Sequence, residues 1–393
     1  MYRKFSADHI FNGYSFRQQE VLITDTAGVI VDLVCEQEAG DHIEKLNGLL
    51  CPGFINAHCH LELSHMKGLV PKHTGLVDFV LTVVNERHFE EAEILSAIEM
   101  AENEMLQNGI VAVGDICNNT LTIPQKRKGR LRYHNFIEAA GFIPSMVKTR
   151  FEKSRSILEE YRDTINDQRS TVSPHAPYSV SPEMFALINV MPGNQLLTIH
   201  NQETAAENEF FEKGTGDLLR MYRLMGIDIS FFKPSGKSSL QTWLPYFTKE
   251  QNMILVHNVF TSAADLSFSK LYAANCKLQT FFCLCPNANL YISNMLPDVN
   301  MLMQHSANIV LGTDSLASND QLCMLEEMKT LQHHFKELEL STLLQWSTSN
   351  GSRALQMDNM LGSFEKGKTP GLVLIEGVED LKLKKDAKAK RIF

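Results

Sequence analysis

The chain has 393 residues, of which 44% are hydrophobic and 21% are charged. This balance is typical of a globular protein with a sizeable core, and it excludes a disordered chain. The formal net charge of -9 disfavours nucleic acid as a partner, because a phosphate backbone would be repelled.

No stretch of the sequence approaches the roughly 18 consecutive apolar residues that a membrane span needs. The first residues also lack the apolar segment of a secretory signal. We therefore expect a cytoplasmic protein without a membrane partner. In that reducing compartment the eight cysteines, which form no CxxC pair, are expected to be free thiols.

The N-terminal segment, residues 1–50, is rich in short strand-like runs. The runs at 7–11, 21–24 and 29–34 alternate with glycines, a pattern that predicts β-strands joined by turns. This segment is expected to form part of a small β domain.

Between residues 51 and 355, short apolar runs alternate with longer amphipathic segments such as 94–107. The alternation predicts βα units around a parallel sheet. Eight runs are candidate strands, at 53–58, 110–116, 131–139, 171–175, 196–200, 253–257, 278–283 and 309–314. Eight strands indicate a closed barrel.

The C-terminal segment, residues 356–393, includes a turn-rich return to strand at 361–375. Six Lys or Arg residues follow among the ten positions of 382–391, and we interpret this charge run as a solvated end. The predicted fold class is α/β, a (β/α)8 TIM-like barrel with a small β-sandwich domain built from both chain ends. The barrel takes residues 51–355, and the small domain takes 1–50 plus 356–393.

Five of the eight predicted strands end in a residue that can bind a metal or carry a proton. These residues are His58, His175, His200, His257 and Asp314. Barrel enzymes place their active sites at the C-terminal ends of the strands, where residues distant in sequence converge. We therefore expect the five side chains to share one mouth of the barrel.

The first of these strands carries two histidines. Side chains alternate along an extended chain, so His58 and His60 point to one face while Cys59 points to the other. Two imidazoles on one face can chelate one ion. Taken alone, the pair is a weak signal, and two ordinary polar histidines are an equal alternative.

Further strand ends supply the remaining ligands and a proton carrier. His200 is followed three residues later by Glu203, and Asp314 ends an apolar run. Three imidazoles with one carboxylate make a suitable ligand set for zinc, and a carboxylate beside the activated water can move its proton. The alternatives are a helix-dipole role for Glu203 and an N-cap role for Asp314. His257 would polarise the water or the attacked carbon, although a structural role remains open for it and for His175.

Several motifs together resemble the aminohydrolase branch of the amidohydrolase superfamily. They are PGFINAHCH at 52–60, SPHAPY at 173–178, HNQET at 200–204, CPNANL at 285–290, GTDSLASN at 312–319 and LGSFEKGK at 361–368. They occur in the family's order and cover nearly the whole chain. One departure is TPGL at 369–372, which lacks the acid that many relatives have after the closing Gly-Lys and weakens the C-terminal strand assignment.

The resemblance implies a metal site and assigns its roles. His58, His60, His200 and Asp314 would bind one divalent ion, for which zinc is expected and Fe2+ is the alternative. The stretch 171–175 lacks the lysine that bridges two metals in binuclear members, so a mononuclear site is implied.

The resemblance also implies the catalytic and substrate-binding groups. Glu203 would shuttle the proton, His257 would be catalytic, and Asp314 would also accept a proton from the water. His175 would contact the substrate. The stretch HLELS at 60–64 is most similar to aminodeoxyfutalosine deaminases, so Glu62 would face the substrate, with a structural carboxylate as an equal alternative.

The implied activity is the hydrolytic deamination of an amino-substituted heterocycle or a nucleoside-like small molecule. Hydrolysis of an amide or a carbon–halogen bond is the alternative within the fold, and a non-catalytic metal-binding barrel is the alternative of another class. Cys276, Cys283 and Cys285 are interpreted as free thiols rather than a second metal site. A small-molecule substrate is the expected partner, and a homo-oligomer such as a dimer is left open.

Overall fold

The computed structural model describes residues 2–165 and 169–393. The strands are β1 (Tyr2–Phe11), β2 (Phe16–Arg17), β3 (Glu20–Asp25), β4 (Ile30–Cys35), β5 (Glu44–Pro52), β6 (Phe54–Cys59), β7 (Ile110–Cys117), β8 (Arg132–Ala139), β9 (Ser170–Pro174), β10 (Leu196–Asn201), β11 (Asn252–His257), β12 (Gln279–Leu284), β13 (Asn308–Leu311), β14 (Leu372–Glu379) and β15 (Lys382–Arg391).

The helices surround the strands of the central region. They are α1 (Leu76–Glu86), α2 (Glu91–Gln107), α3 (Ile123–Lys126), α4 (Val147–Ile165), α5 (Pro182–Asn189), α6 (Ala205–Lys213), α7 (Leu218–Leu224), α8 (Ser239–Trp243), α9 (Ala263–Cys276), α10 (Pro286–Ser293), α11 (Val299–Gln304), α12 (Met324–His334), α13 (Leu340–Ser347) and α14 (Ser349–Ala354). No helix in the described part of the chain is long and apolar enough to cross a membrane.

Strands β6 to β13 are parallel and form two four-stranded arcs, β6-β7-β8-β9 and β10-β11-β12-β13. At one seam the His200 amide donates to the carbonyl oxygen of His175 at 3.0 Å. At the other seam the amides of Thr313 and Asp314 both donate to the carbonyl oxygen of His58 at 3.1 Å. The arcs therefore meet on both sides, and the predicted (β/α)8 barrel is confirmed.

Strand sequence explains why these segments lie at the centre. All eight residues of β7 are buried, as are all six of β6 and β10. Parallel strands covered by helices bury both faces, so they read as continuous apolar runs rather than as an alternation. The eight strands predicted from those runs agree with the observed strands to within a few residues at their ends.

The strands of both chain ends join in one seven-stranded sheet, ordered β15-β14-β5-β1-β3-β4 with β2 beside β1. It packs around its own apolar core, which includes Phe5, Leu22, Leu50 and Leu372. The small β domain built from both chain ends is thus confirmed. Its exact limits, at 50/51 and 355/356, stay a prediction.

One expectation about the C-terminal segment is wrong. Residues 382–391 are not a solvated end but the edge strand β15, which pairs antiparallel with β14. Leu383 and Ala387 point inward and are buried, while most of the charged side chains are exposed. Lysines on an edge strand also discourage pairing with another chain, which gives the charge run a structural role.

Candidate active site

The five predicted strand-end residues converge at the C-terminal mouth of the barrel. Three atoms lie close together there, because Nε2 of His60 is 3.2 Å from Nε2 of both His58 and His200. Oδ1 of Asp314 lies 3.5 Å from His58 Nε2 and 3.4 Å from His60 Nε2. All four residues are buried and form a group that could hold one metal ion.

These spacings match those of ligands around a single ion. Zinc–nitrogen bonds of about 2.0–2.1 Å place tetrahedral ligands about 3.4 Å apart. His200 Nδ1 lies 2.7 Å from the backbone carbonyl oxygen of His175, to which it donates a hydrogen bond. That bond puts the hydrogen on Nδ1 and leaves the Nε2 lone pair free to bind a metal. The donor set therefore fits a divalent ion.

The charge states of the group also suit metal binding. Burial lowers the pKa of His60 and holds that of His200 well below the usual value, so both rings are neutral at pH 7. Burial acts to raise the pKa of Asp314, but the hydrogen bond with His58 and the surrounding imidazoles outweigh it and hold that pKa well below its usual range. Neutral imidazoles and an ionised carboxylate are the forms that bind metals.

The backbone at the strand ends is strained in a way that brings these side chains together. His257 and Asp314 adopt left-handed conformations, with φ of 74° and 58°. Such conformations in residues other than glycine cost energy and cluster at functional sites. Gly312 permits the close contact of β13 with β6, because a Cβ there would lie 2.9 Å from the His58 carbonyl oxygen.

Glu203 and His257 lie beside the four-residue group. Oε1 of Glu203 is 3.6 Å from Nε2 of His257. Burial raises the pKa of Glu203 well above the usual value, with a further contribution from Asp314. Burial also lowers the pKa of His257 to about 3, so its ring is neutral. The pair combines a carboxyl group that readily holds a proton with a neutral imidazole.

A side-chain amide fixes the orientation of the His257 ring. Nδ2 of Asn289 lies 3.0 Å from His257 Nδ1 and donates to it. Nδ1 is then the acceptor, and Nε2 carries the hydrogen that faces Glu203. Asn289 belongs to the motif CPNANL, but no local pattern indicates this contact with a residue 32 positions away.

The predicted substrate-binding residues line the same cavity. Nδ1 of His175 is 2.7 Å from Ser179 Oγ. Glu62 is buried, which raises its pKa to about 7, and it accepts a hydrogen bond from the Asn118 amide at 2.9 Å. Asn118 also donates through Nδ2 to Glu138 at 2.8 Å. Asn118 therefore holds two carboxylates at the cavity wall.

Glu138 is not among the site residues predicted from the sequence. It lies one residue before the end of a predicted strand, so a search for carboxylates near strand ends would have found it. Together with His175 and His200 it forms a second group of potential ligands. No group of three potential metal ligands that includes a cysteine occurs within residues 2–165 and 169–393.

The cavity has a volume of about 420 Å³ and opens at the barrel mouth. Its floor is polar, whereas one wall is apolar and comes from a single face of α1, including Leu76, Phe79, Val80 and Val83. Most small-molecule sites combine apolar walls with a few convergent polar groups. Its size suits a small molecule.

Two known deaminases are similar to this chain, one compared by sequence and one by structure. The adenosine deaminase of Helicobacter pylori is 28% identical over 332 residues, which cover 83% of this chain and 78% of that protein. The crystal structure of Helicobacter pylori aminofutalosine deaminase in complex with methylthio-coformycin superposes with a TM-score of 0.80 at 22% identity, covering 100% of both chains.

A second solved structure shares the fold. The adenosine deaminase from Xanthomonas campestris with bound zinc has a TM-score of 0.70 at 20% identity, covering 95% of this chain and 84% of that one. The sequence profile of the amidohydrolase family matches residues 49–392, which include the whole barrel and both C-terminal strands of the small domain. The chain therefore belongs to the amidohydrolase family.

Proposed function

We propose that the protein catalyses the hydrolytic deamination of an amino-substituted heterocycle or a nucleoside-like small molecule. One observation carries the proposal. A buried carboxyl group with a raised pKa, Glu203, lies 3.6 Å from the neutral imidazole of His257, beside four residues that could hold a metal ion. Deamination needs such a set, because water must be activated and the amino group must be protonated to leave as ammonia.

His58, His60, His200 and Asp314 would hold one divalent ion, for which we propose zinc with Fe2+ as the alternative. When bound, such an ion lowers the pKa of a water molecule from 15.7 towards about 7. The zinc proposal rests on the three-imidazole, one-carboxylate donor set. A single ion is supported because the four ligand atoms lie within 4.8 Å of one another.

Glu203 would move the proton between the two reacting groups. As the water attacks the ring carbon, the Glu203 carboxylate takes a proton from it, and the resulting carboxylic acid delivers this proton to the leaving amino nitrogen. The raised pKa of Glu203 suits both steps, since a proton carrier works best when its pKa lies near the operating pH.

His257 and Asp314 would act on the oxygen of the attacking water. The Nε2–H of His257 would donate to that oxygen and stabilise the negative charge that develops on it. Asp314 would take the second proton of the water and pass it to the ring nitrogen of the product, while Ser318 Oγ donates to Oδ2 of Asp314 at 2.6 Å and fixes the carboxylate plane. His175 and Glu62 would contact the substrate from the cavity wall.

A direct test is an ammonia-release assay with metal-loaded protein. The panel contains adenine and guanine nucleosides and their bases, pterins, triazines and cytosine derivatives. We expect stoichiometric ammonia and the corresponding oxo product from at least one compound. Amide and chloro analogues of the same rings form the second arm, because formation of a carboxylate or of chloride would favour the alternative hydrolytic activities.

The non-catalytic alternative has its own outcome in the same assay. A protein that binds one metal ion per chain and turns over none of the compounds would favour a metal-binding barrel. The chain's eight free cysteines support our proposal that it works in the reducing cytoplasm. We keep a homodimer as a proposal that sedimentation velocity of the purified protein would test.

A further inference from the structure

A buried carboxylate lies beneath the active site and takes no part in the proposed mechanism. Glu327 on α12 is fully buried and accepts three hydrogen bonds. Two come from Asn287, through its amide and its side-chain Nδ2, both at 3.0 Å. The third comes from Nδ2 of Asn319 at 2.8 Å.

The first partner ties Glu327 to the segment that orients His257. Asn287 lies in the first turn of α10, and the same turn carries Asn289, which donates to His257 Nδ1. Thr330 Oγ1 donates to Asn287 Oδ1 at 2.5 Å, so a second residue of α12 fixes the Asn287 side chain. A shift of the α10 N-terminus would move the Asn289 amide away from the imidazole.

The second partner ties Glu327 to the segment that carries Asp314. Asn319 donates through Nδ2 to the carbonyl oxygen of Thr313 at 2.9 Å as well as to Glu327. Thr313 directly precedes Asp314. The Thr313 amide donates to Oδ1 of Asn56 on β6 at 3.0 Å. The position of Asp314 in the ligand group therefore depends on the anchored Thr313 peptide.

The energetics indicate that Glu327 is present for positioning. Burial raises its pKa to about 8, a cost that the three N–H donors offset only in part. No ion pair of Glu327 is found among the described residues that would offset the cost further. An apolar residue of similar volume would avoid this desolvation penalty but could not hold both loops.

We infer that Glu327, Asn287 and Asn319, which we call the Glu327 clamp, hold His257 and Asp314 in position relative to each other. His257 ends β11, whereas Asp314 follows β13. The catalytic consequence rests on the proposed function, because it assumes that both groups act on the attacking water. Displacements of about 1 Å in such groups can lower a rate by about 100-fold. The loss should fall on kcat rather than KM, since the clamp does not line the cavity.

The test compares Glu327→Gln with the matched control Glu326→Gln. Glu326 is the preceding residue of α12 and pairs with Lys329 at 2.7 Å outside the clamp. Above the Glu327 pKa of about 8 both wild-type oxygens are acceptors, whereas in Glu327→Gln an N–H donor faces the amide donors of Asn287 or Asn319, so one arm of the clamp is lost and the comparison is made in that pH range. We expect kcat to fall by about 10–100-fold at saturating metal, with KM nearly unchanged, while the control keeps wild-type values.

Two further readouts separate positioning from a general loss of structure. The 15N imidazole resonances of His257 report whether Nδ1 still accepts a hydrogen bond, and we expect them to shift in Glu327→Gln as they do in Asn289→Ala. A double-mutant cycle of these two substitutions should be non-additive in kcat, because both act through the same contact.

The outcomes decide the inference in each case. A wild-type kcat with unshifted His257 resonances in Glu327→Gln would overturn the inference. A lowered kcat would also overturn it if the His257 resonances did not shift and the effects of Glu327→Gln and Asn289→Ala on kcat were additive. If Glu327→Gln does not fold, Asn287→Ala and Asn319→Ala take the same measurements. If the wild type releases no ammonia from any compound, the proposed function fails, and the His257 resonances together with retention of Zn2+ during dialysis decide the clamp alone.

Discussion

The two arcs of the barrel support their halves of the active site by different means. Behind the β6–β9 arc, Lys126 Nζ lies 2.5 Å from Asp115 Oδ2 and 2.8 Å from Asn135 Oδ1, all in the buried interior. Oδ1 of Asp115 accepts from the Leu61 amide at 2.8 Å and so holds the turn that follows His60. Here the buried charges neutralise one another.

Behind the β10–β13 arc, buried carboxyl groups have only uncharged partners. Glu207 accepts from the Gln202 amide at 2.9 Å, and burial raises its pKa to about 7. Glu327 has a pKa of about 8 among asparagine amides. Glu203, the proposed proton carrier, belongs to this arc. A balanced ion pair suits a fixed framework, whereas Glu203, Glu207 and Glu327, which are buried without a cation, have raised pKa values.

The largest effect is expected from removing the proton carrier of the second arc. Glu203→Gln should lower kcat by about 10²–10⁴-fold while the protein keeps its metal, because the amide cannot take or release the proton. The wild-type rate should rise with pH through the raised pKa of Glu203, and this dependence should disappear in the variant. Steady-state kinetics over a pH series measure both effects.

The matched control for this prediction is Glu209→Gln. Glu209 is exposed on α6, the helix that follows Glu203, and contacts only Thr215 among its side-chain hydrogen bonds in the described chain. It should keep the wild-type rate and pH dependence. Full turnover by metal-loaded Glu203→Gln would remove Glu203 from the mechanism.

A loss of stability is expected from unbalancing the ion pair of the first arc. Lys126→Met leaves Asp115 buried without a cation, and we expect the free energy of unfolding to fall by about 3–5 kcal/mol. The double variant Asp115→Asn with Lys126→Met should recover much of that loss. Urea denaturation measures the free energy.

Lys128→Met is the control, since Lys128 pairs with Glu99 at the exposed surface at 2.8 Å. Removal of that exposed pair should change the free energy of unfolding very little. If Lys126→Met lowered the free energy of unfolding as little as this control, the Lys126–Asp115 ion pair would not be what stabilises the first arc.

The smallest effect concerns Glu62, a carboxyl group of the first arc that has no cation beside it. Its folded pKa of about 7 exceeds the reference value of 4.5, so it binds a proton more tightly in the folded protein. Its contribution to stability is complete below pH 4.5 and is lost as the pH rises through about 7. Glu62→Gln should therefore be neutral at pH 4 and more stable than wild type by up to about 3 kcal/mol at pH 8.

Chemical denaturation of both proteins at pH 4, 6 and 8 measures this difference. Equal stabilities across the series would mean that the carboxyl group is not desolvated in the folded protein. A difference that grows with pH would show that Glu62, although it belongs to the first arc, has a pKa raised by burial like Glu207 and Glu327 of the second arc.

The sequence predicted the barrel because each buried strand leaves a local apolar run, and the ends of those runs identified His58, His200 and Asp314. It could not predict the supports behind them. The contact of Asn289 with His257 and those of Glu327 with Asn287 and Asn319 depend on how helices α10 and α12 pack, which no local pattern encodes.

The error in the C-terminal segment has a similar cause. Counting charges over 382–391 predicted solvation, whereas the buried positions Leu383 and Ala387 show that an edge strand tolerates charge on its exposed face. Which face would be covered depended on β14 and α12, elements that pair with this segment only in the folded chain. Gln332 Nε2 of α12, for instance, donates to the Leu383 carbonyl oxygen at 2.8 Å.

The most direct test is anomalous X-ray diffraction from crystals of the zinc-loaded protein, collected on both sides of the zinc absorption edge. We predict one peak per chain, about 2.0–2.2 Å from Nε2 of His58, His60 and His200 and from Oδ1 of Asp314. Two peaks at the barrel mouth, or a single peak bound by other residues, would contradict the account.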